Sequence, residues 1–555
     1  MNFSTGWPQQ IVRGVSRWTA RLMPAAPALD DFPFMRSDVA LYHRTVVDGE
    51  GGKNARLMVD EQTWSDMLLD QYSAQLATQT SIFGQQMLHH RLRGEAADAD
   101  SIDRVRTLAH DAPRLARLTR AGEQLRRATS EVGALLFGAG YDAAPRWSAH
   151  LRWMPPTFLL VFGAALALGW WPLWFGVIAG WLALMTVQVR WYESAQQWDR
   201  SLHTLQYLLR THSQLAALDD PYTQVFRDGR ARAGQINRAL TRTSFESLMP
   251  GAREYADWLW LKNIRHYFAS RDVVRLHRDF LRDSYLLAAR LEADLALARH
   301  LARTPHHCWA ERAAAGTRDV VLERMVHPLL AGAAPLSFAL RGQGAFISGQ
   351  NGIGKSTLLR SVGLNVIVAR AFGFCYADAA RLPLMPVYSS MQTEDSLASG
   401  ESLYIAELRR ARELLALADG AGVAQSGGEE RGEGGPALFI IDEIFRGTNH
   451  LESISAAAAV LHTLARSGRV IVSSHNLVLA PLLADVLAPL YVSAPDGDQS
   501  RLRIAAGVLA ETNGIALLSA RGFDDAIAAK ARRVHDWLSD YMMHPGDCAG
   551  LLNSL

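Results

Sequence analysis

Gly349-Gln350-Asn351-Gly352-Ile353-Gly354-Lys355-Ser356 is the stretch of this 555-residue chain that decides the fold. It matches G-x-x-x-x-G-K-[ST], it follows the apolar run Ala345-Phe346-Ile347, and an apolar stretch begins after Thr357. A strand, a glycine-rich turn and a helix in this order form a phosphate-binding loop, because the glycines let backbone N–H groups curl around phosphates. The pattern predicts an α/β P-loop NTPase domain.

Each residue of this loop has a predicted role in binding ATP. Lys355 is one of only four lysines in the chain, and it would reach the β- and γ-phosphates. The hydroxyl of Ser356 would bind Mg²⁺. The predicted nucleotide-binding residues are Gly349, Gln350, Asn351, Gly352, Ile353, Gly354, Lys355, Ser356 and Thr357. ATP and Mg²⁺ are therefore the predicted cofactors.

Two further apolar runs end in polar residues that suit the same chemistry. Phe439-Ile440-Ile441 is followed by Asp442 and Glu443, and the run 470–474 is followed by His475. Asp442 is predicted to complete the Mg²⁺ shell, and Glu443 to polarise the attacking water. His475 would bond the γ-phosphate or that water, although a plain surface histidine is the alternative. The motif lysine, Glu443 and His475 form the predicted catalytic set.

Downstream of Val320 the sequence alternates between short β-type runs and helical stretches. Such alternation is typical of a mostly parallel sheet covered by helices. The predicted strands are Gly344–Ser348, Ala437–Ile441, Arg469–Ser473 and Leu490–Ser493. We therefore place the NTPase domain, with its C-terminal helices, at residues 320–545. Within it, the Gly/Glu-rich segment 421–436 is predicted to be a disordered loop.

One segment predicts insertion into a membrane. The 37 residues from Trp153 to Val189 contain no Asp, Glu, Lys or Arg, whereas one span needs only about 20 residues. Residues 169–172 are Gly-Trp-Trp-Pro, which favours a break between two spans, Thr157–Trp170 and Leu173–Val189. Arginines flank both ends, so both flanks are predicted to face the cytoplasm. The alternatives are one long tilted span and a buried hairpin inside a soluble bundle.

The remaining sequence is predicted to be an all-α lever and core lobe that this hairpin interrupts. We assign residues 1–40 to an N-terminal segment with a basic amphipathic helix, either on an anionic membrane surface or docked as an ordinary helix with a solvated face. The two halves of the lobe are 41–150 and 191–319, and the hairpin is 151–190. The predicted location is the inner (cytoplasmic) membrane, as a multi-pass protein in contact with lipid, with its soluble domains facing the cytoplasm.

The composition narrows the class of function. Lys+Arg number 57 and Asp+Glu number 55, so the net charge is +2 and no global basic excess indicates a nucleic-acid-binding protein. A local run of arginines from Arg104 to Arg127 leaves DNA as a candidate ligand, although a solvated helix face is the simpler interpretation. The three cysteines, Cys308, Cys375 and Cys548, have no CxxC spacing, which disfavours a cysteine-based zinc site and a disulfide scaffold.

The order of these motifs resembles that of the MutS family of mismatch-repair ATPases. Ser348–Thr357 resembles the family's TGPNMGGKST, Asp442–Asn449 resembles DE-x-GRGTS, and Ser474-His475 resembles its T-H pair. The resemblance implies that the NTPase domain is of the ABC/MutS type and hydrolyses ATP. It extends from Val320 to Asp540, and more weakly it reaches back to Val59.

A fourth element of the resemblance concerns assembly. Residues 395–407 resemble the family's DDL-x-x-G-x-STFMVE, with Ser402 and Glu407 keeping their spacing of five. In that family this element acts in trans on the partner subunit's ATP. The resemblance therefore implies a homodimer with composite ATP sites, to which Ser402 and Glu407 contribute.

Departures from the family pattern limit which functions of the MutS family can be expected of this chain. The chain has no Phe-x-Glu, the wedge that mismatch-binding members carry, and the apolar hairpin lies roughly where the family inserts its DNA clamp. Leu403 stands where the family's trans element usually has Thr. Asn449 and His450 replace the usual Ser/Thr, and Glu452-Ser453 replaces Asp-Gly. We therefore expect a divergent, membrane-anchored branch and do not carry over mismatch recognition, while a role in DNA repair or DNA handling stays a hypothesis.

Three other functions compete with this interpretation. Ser426-Gly427-Gly428-Glu429 resembles the LSGGQ signature of ABC transporters, but that signature should open a helix and Gly-rich sequence follows it here. A membrane-tethered switch that acts on a protein or lipid partner is the second alternative. The third is a scaffold that binds ATP without hydrolysis, which the intact lysine and the Asp-Glu pair disfavour.

Overall fold

The computed structural model describes residues 34–50, 58–140, 143–242, 257–313, 319–391, 403–426, 436–494, 502–509 and 524–543. Numbered in chain order, the helices are α1 (Arg36–Glu50), α2 (Glu61–Asp66), α3 (Leu69–Leu76), α4 (Ile82–Arg93), α5 (Ala99–His110), α6 (Ala112–Ala121), α7 (Gly133–Phe137), α8 (Met154–Leu168), α9 (Pro172–Leu215), α10 (Arg230–Leu240), α11 (Lys262–Leu276), α12 (Arg278–Arg303), α13 (Lys355–Phe372), α14 (Leu403–Ser426), α15 (His450–Ser467), α16 (Leu479–Leu482) and α17 (Asp525–Met543). Short 3₁₀ helices span Glu123–Arg127, Arg146–Arg152 and Pro221–Phe226.

The strands are β1 (Cys308–Trp309), β2 (Glu311–Arg312), β3 (Val320–Met325), β4 (Leu336–Leu340), β5 (Gly344–Gly349), β6 (Phe374–Cys375), β7 (Ala379–Leu382), β8 (Val387–Ser390), β9 (Leu438–Asp442), β10 (Arg469–Ser473), β11 (Leu487–Ser493) and β12 (Arg503–Ala506). The chain divides into two compact units. The helical unit holds α1 with residues 76–89 and 104–300, and the sheet unit holds 58–75, 90–103 and the described residues after 300.

In the part of the chain that the structure describes, the main sheet of the sheet unit has six strands, in the order β12-β11-β5-β10-β9-β8. Its neighbours are parallel except β11 and β12. Strands β5, β9 and β10 are almost wholly buried apolar runs, as strands covered on both faces must be. The predicted mostly parallel sheet is confirmed. A second sheet, with the order β2-β7-β3-β4, had no counterpart in the prediction.

Helix α14 extends further than the sequence predicted. It ends at Ser426, six residues into the segment assigned to a disordered loop from residue 421. Alanine and glutamine in this stretch are good helix formers, so the helix continues until the glycine-rich composition begins. Residues 427–435 lie outside the described residues.

Residues 58–75 and 90–103 belong to the sheet unit, although the sequence predicts a single helical lobe from residue 41. Buried polar contacts hold the first of these segments. Asp66 Oδ2 accepts hydrogen bonds from Ser389 Oγ at 2.7 Å and from Met391 N at 3.0 Å. Arg410 Nη1 lies 2.9 Å from Asp60 Oδ2. Helical periodicity reports which face of a helix is buried but not which partner buries it, so the sequence could not reveal this division.

The helical unit presents two apolar helices, α8 and α9, separated by residues 169–171. Gly169 ends α8 in the left-handed conformation, with a φ of 60°. Large apolar side chains are exposed along both helices and in the break between them, and they include Leu160, Leu166, Leu168, Trp170, Trp171, Phe175, Ile178, Trp181 and Leu182. Among the described residues, α9 is long and apolar enough to cross a membrane, and Arg146–Arg152 with α8 forms a second, bent candidate.

Three arginines of the basic run form ion pairs inside the helical unit. Arg104 Nε lies 2.6 Å from Asp294 Oδ2, and Arg114 and Arg117 each place their Nη2 atom 2.8 Å from Asp220. Burial of Asp220 opposes its ionisation, but the hydrogen bonds from Arg114, Tyr222 N and Arg117 together lower its pKa. These three arginines therefore form ion pairs between elements of the helical unit. Arginines on a solvated face or on a free DNA-binding stripe would not form such pairs.

We expect Asp220→Ala to lower the free energy of unfolding by about 2 to 3 kcal/mol, because it leaves two arginines without their buried carboxylate. Asp219→Ala is the matched control, since that side chain is fully exposed and its pair with Arg227 contributes little. The stabilisation from Asp220 is present above its ordinary pKa of 3.8 and is lost as the pH falls through its lowered pKa. Urea unfolding of the full chain in detergent measures both effects. Equal midpoints for the two variants would contradict the assignment.

Candidate nucleotide site

The carboxyl ends of three neighbouring strands form the floor of the candidate site. In the parallel register, Ser473 on β10 lies beside Ile347 on β5 and beside Asp442 on β9. The glycine-rich motif follows β5, Glu443 follows Asp442, and His475 lies two residues after the end of β10. The sheet thus brings together three motifs that lie far apart in the sequence.

The glycine-rich motif joins β5 to α13 through a turn that only glycine adopts without strain. Gly352 and Gly354 have φ values of 75° and 100°, in the left-handed region. Lys355, the first residue of α13, is buried and donates from Nζ to the carbonyls of Gly349 at 3.0 Å and Gln350 at 3.1 Å. Burial lowers the pKa of Lys355, while Asp442 and Glu443 oppose that shift. The ammonium group therefore lies over the motif, where a phosphate would replace its carbonyl partners.

Glu443 is held in a strained position at the end of β9. Its φ of 59° is unusual for a residue with a side chain, and strain of this kind is frequent at functional sites. Its N–H donates to Ser473 O at 2.9 Å. One carboxylate oxygen lies 3.1 Å from His475 Nε2, and the other lies 3.2 Å from Arg446 Nη1. Burial and Lys355 lower the pKa of His475, against the effect of Glu443 and Asp442.

Glu407 contacts this cluster from within its own chain. The side chain is 5% exposed; Oε2 accepts from Gly447 N at 3.4 Å, and Oε1 lies 3.6 Å from Arg446 Nε. Arg446 therefore lies between Glu407 and Glu443. A Cβ on Gly447 would lie 2.7 Å from Tyr404 N, so glycine is required for α14 to approach this closely. Ser402, the other residue of the predicted trans element, lies outside the described residues.

Asn449, which departs from the family pattern, has a structural role. It caps α15, and its side chain accepts from Glu452 N at 3.0 Å. Thr448 Oγ1 donates to Glu452 Oε2 at 2.8 Å. Asparagine is as good an N-cap as serine, and the acid three residues later belongs to the usual capping pattern. The replacements therefore preserve the start of the helix that follows Glu443.

Arg446 is the site residue that the sequence analysis missed. It lies three residues after Glu443, and within the quoted segment Asp442–Asn449 it is the only cation. A charged residue beside a predicted catalytic acid was the signal available. The sequence around Glu443 could not reveal that Arg446 also contacts Glu407, since Glu407 is distant in the sequence and meets Arg446 only through the packing of α14.

Comparison with known proteins finds similarity over the region that contains this candidate site. The family model for MutS domain V matches residues 345–539, which include all of β5 after its first residue, the glycine-rich motif, Glu443 and His475. This region is similar in sequence to MutS proteins. The match begins at β5 and takes in the whole candidate site, whereas the apolar hairpin lies outside it.

Curated MutS proteins also match part of the chain. The DNA mismatch repair protein MutS of Thermus thermophilus is 26% identical over 275 residues, which are 48% of this chain and 31% of that protein. The MutS of Salinibacter ruber is 30% identical over 199 residues, or 34% and 20% of the two chains. MutS 1 of Halobacterium salinarum is 28% identical over 202 residues, or 35% and 22%. The chain thus spans between a fifth and a third of the length of these relatives.

Proposed function

We propose that this chain is a MutS-type ATPase that binds ATP with Mg²⁺ and hydrolyses it. The observation that carries the proposal is the meeting of Lys355, Asp442, Glu443 and His475 at the carboxyl ends of three adjacent strands. In open α/β sheets, ligands bind outside the carboxyl ends of the strands. The N-terminus of α13 adds partial positive charge where the phosphates would lie.

Each residue of the candidate site has a different proposed role in hydrolysis. Lys355 would exchange its carbonyl partners for phosphate oxygens and neutralise charge on them. Glu443 would orient the attacking water and accept its proton, while His475 and Arg446, one on each carboxylate oxygen, hold the side chain in place. Burial and Lys355 lower the pKa of His475, which favours the neutral imidazole whose Nε2 lies 3.1 Å from a carboxylate oxygen of Glu443.

Ser356 and Asp442 fit a magnesium ion. Both side chains are half-buried, one at the start of α13 and one at the end of β9, and both offer the oxygen ligands that Mg²⁺ prefers. Two protein oxygens leave room for the water and phosphate ligands that this ion usually keeps. When bound, the ion would neutralise charge on the β- and γ-phosphates.

We further propose that the apolar hairpin anchors the protein in the inner membrane, with its soluble parts in the cytoplasm. The support is the row of exposed apolar side chains on α8 and α9, since water-exposed patches of that size are rare on soluble proteins.

A homodimer with composite ATP sites is proposed from the family resemblance. DNA is a candidate ligand on the same ground, because MutS relatives are mismatch repair proteins.

The transport alternative has little support. Ser426, the first residue of the ABC-like tetrapeptide, is the last residue of α14 and does not open a helix.

A switch that acts on a protein or lipid partner remains the second candidate, and the exposed hairpin favours it over a DNA-only role. ATPase rates measured in liposomes, with and without linear, mismatched and branched DNA, separate the two. A rate that no DNA changes would favour the switch.

Mixing two inactive variants tests the composite site. Lys355→Ala and Ser402→Ala chains should each be inactive, but one site of a hybrid dimer keeps both intact halves. An equal mixture should therefore recover about a quarter of the wild-type rate, since half of the dimers are hybrids with one working site. Mixing Lys355→Ala with Glu443→Gln is the control, because both changes damage the same half and no working site can form. Absent rescue, with a specific rate independent of protein concentration, would favour a monomer.

A further inference from the structure

Two cysteines that are far apart in the sequence face each other in the sheet unit. Cys308 on β1 and Cys375 on β6 are direct partners in an antiparallel pair, and their sulfur atoms are 3.7 Å apart. Both are free thiols. Directly opposed residues in such a pair have Cα atoms about 4.5 to 5.5 Å apart, within the range that a disulfide spans. A small rotation of the two side chains would bring the sulfur atoms to bonding distance.

The two thiols differ in access and in chemistry. Cys308 is partly exposed, whereas Cys375 is completely buried. A hydrogen bond from the Cys375 thiol, aided by one from Ala377 N, lowers the pKa of Cys308 against the effect of burial. The same hydrogen bond and burial raise the pKa of Cys375. Cys308 is therefore the thiol that an oxidant reaches first and in the more reactive form, and Cys375 is the resolving thiol beside it.

We propose that Cys308 and Cys375 form a reversible intrachain disulfide, a redox modification site separate from the nucleotide site. With hydrogen peroxide as the oxidant, the Cys308 sulfur attacks one peroxide oxygen, the O–O bond breaks, and a sulfenic acid and one water result. The Cys375 sulfur then attacks the Cys308 sulfur, the S–O bond breaks, and a second water leaves. One peroxide is reduced to two waters as two thiols are oxidised to one disulfide.

The proposed disulfide would constrain the segment that carries the glycine-rich motif. It would close a loop of 67 residues that contains β5, the glycine-rich motif and α13. Gly373 alone separates the end of α13 from β6, so the crosslink would fix the distal end of the helix that begins at Lys355. A closed loop of this length restricts the unfolded chain. The oxidised protein should therefore unfold at a temperature several degrees higher than the reduced protein.

The test uses the full chain carrying Cys548→Ser, so that the two paired thiols are the only ones present. A small excess of hydrogen peroxide should reduce the thiol count in denaturant from two to zero, and dithiothreitol should restore it. Peptide mapping should find the segments around residues 308 and 375 joined, and the melting temperature should rise until reductant is added. Retention of both thiols, or their loss without the joined peptide, would overturn the proposal.

A single-cysteine variant tests the order of the steps. In Cys375→Ser the oxidation should stop at a sulfenic acid on Cys308, which dimedone labels. Cys308→Ser should give little dimedone labelling, because the remaining thiol is buried, and it serves as the second variant if serine at position 375 unfolds the protein. Equal labelling of the two variants would show that Cys308 is not the first thiol to react.

Discussion

Replacing Glu443 by glutamine is expected to abolish ATP turnover while leaving ATP binding within about twofold of wild type. Glutamine keeps the size of the side chain and leaves Asp442 and Lys355 in place, so the groups proposed to hold Mg²⁺ and phosphate are unchanged. It cannot accept a proton from the attacking water, which should slow hydrolysis by about 10²- to 10⁴-fold. Steady-state phosphate release and equilibrium binding of a fluorescent ATP analogue measure the two quantities.

A matched control separates chemistry from stability. Glu452→Gln makes the same substitution on an exposed acid nine residues away, where the contacts are Thr448 and the cap of α15. Its turnover should stay within about twofold of wild type, since exposed substitutions of this kind have small effects. Lys355→Ala should weaken ATP binding itself. Normal turnover in Glu443→Gln would remove the proposed role of that residue, whatever the other variants do.

The sequence was sufficient to predict the parts of the site that depend on short-range patterns. An apolar run followed by glycines and a lysine specifies a strand, a turn and a helix in one continuous segment. Two other apolar runs that end in Asp-Glu and in His then specify the neighbouring strands. Parallel strands buried on both faces consist of continuous apolar residues, so each strand and its polar end could be recognised separately. Their meeting at one edge follows from the parallel sheet alone.

What the sequence could not predict depends on packing between distant segments. The contact of Glu407 with Arg446 requires α14 to lie against Gly447, and no local pattern reports that approach. The assignment of residues 58–75 to the sheet unit rests on buried hydrogen bonds from Ser389 and Met391 to Asp66. The opposed cysteines likewise follow from the pairing of two-residue strands, too short to be recognised by alternation. In each case the deciding partner belongs to a different element that is remote in the sequence.

If the apolar hairpin is the proposed membrane anchor, placing charge on its exposed apolar side should release the protein from the membrane. Leu160, Phe175, Ile178 and Leu182 are more than half exposed and lie on α8 and α9. A charged residue near the centre of a span costs about 3 kcal/mol, so changing all four to lysine would cost about 10 kcal/mol or more. The wild-type chain should stay in the membrane fraction after carbonate extraction, and the variant should move to the soluble fraction.

The control for that result changes exposed apolar residues elsewhere. Leu276, Leu451, Val478 and Leu482 are also more than half exposed, but they lie outside α8 and α9, and their replacement by lysine should leave the protein in the membrane fraction. The two proposed spans would also fix the topology, because a hairpin would return the chain to the side from which it entered. In a cysteine-free background, labels at positions 143 and 197 should therefore be accessible from the same side. Labelling from opposite sides would mean that the chain crosses once, and that the two parts of the helical unit could not pack together as they do here.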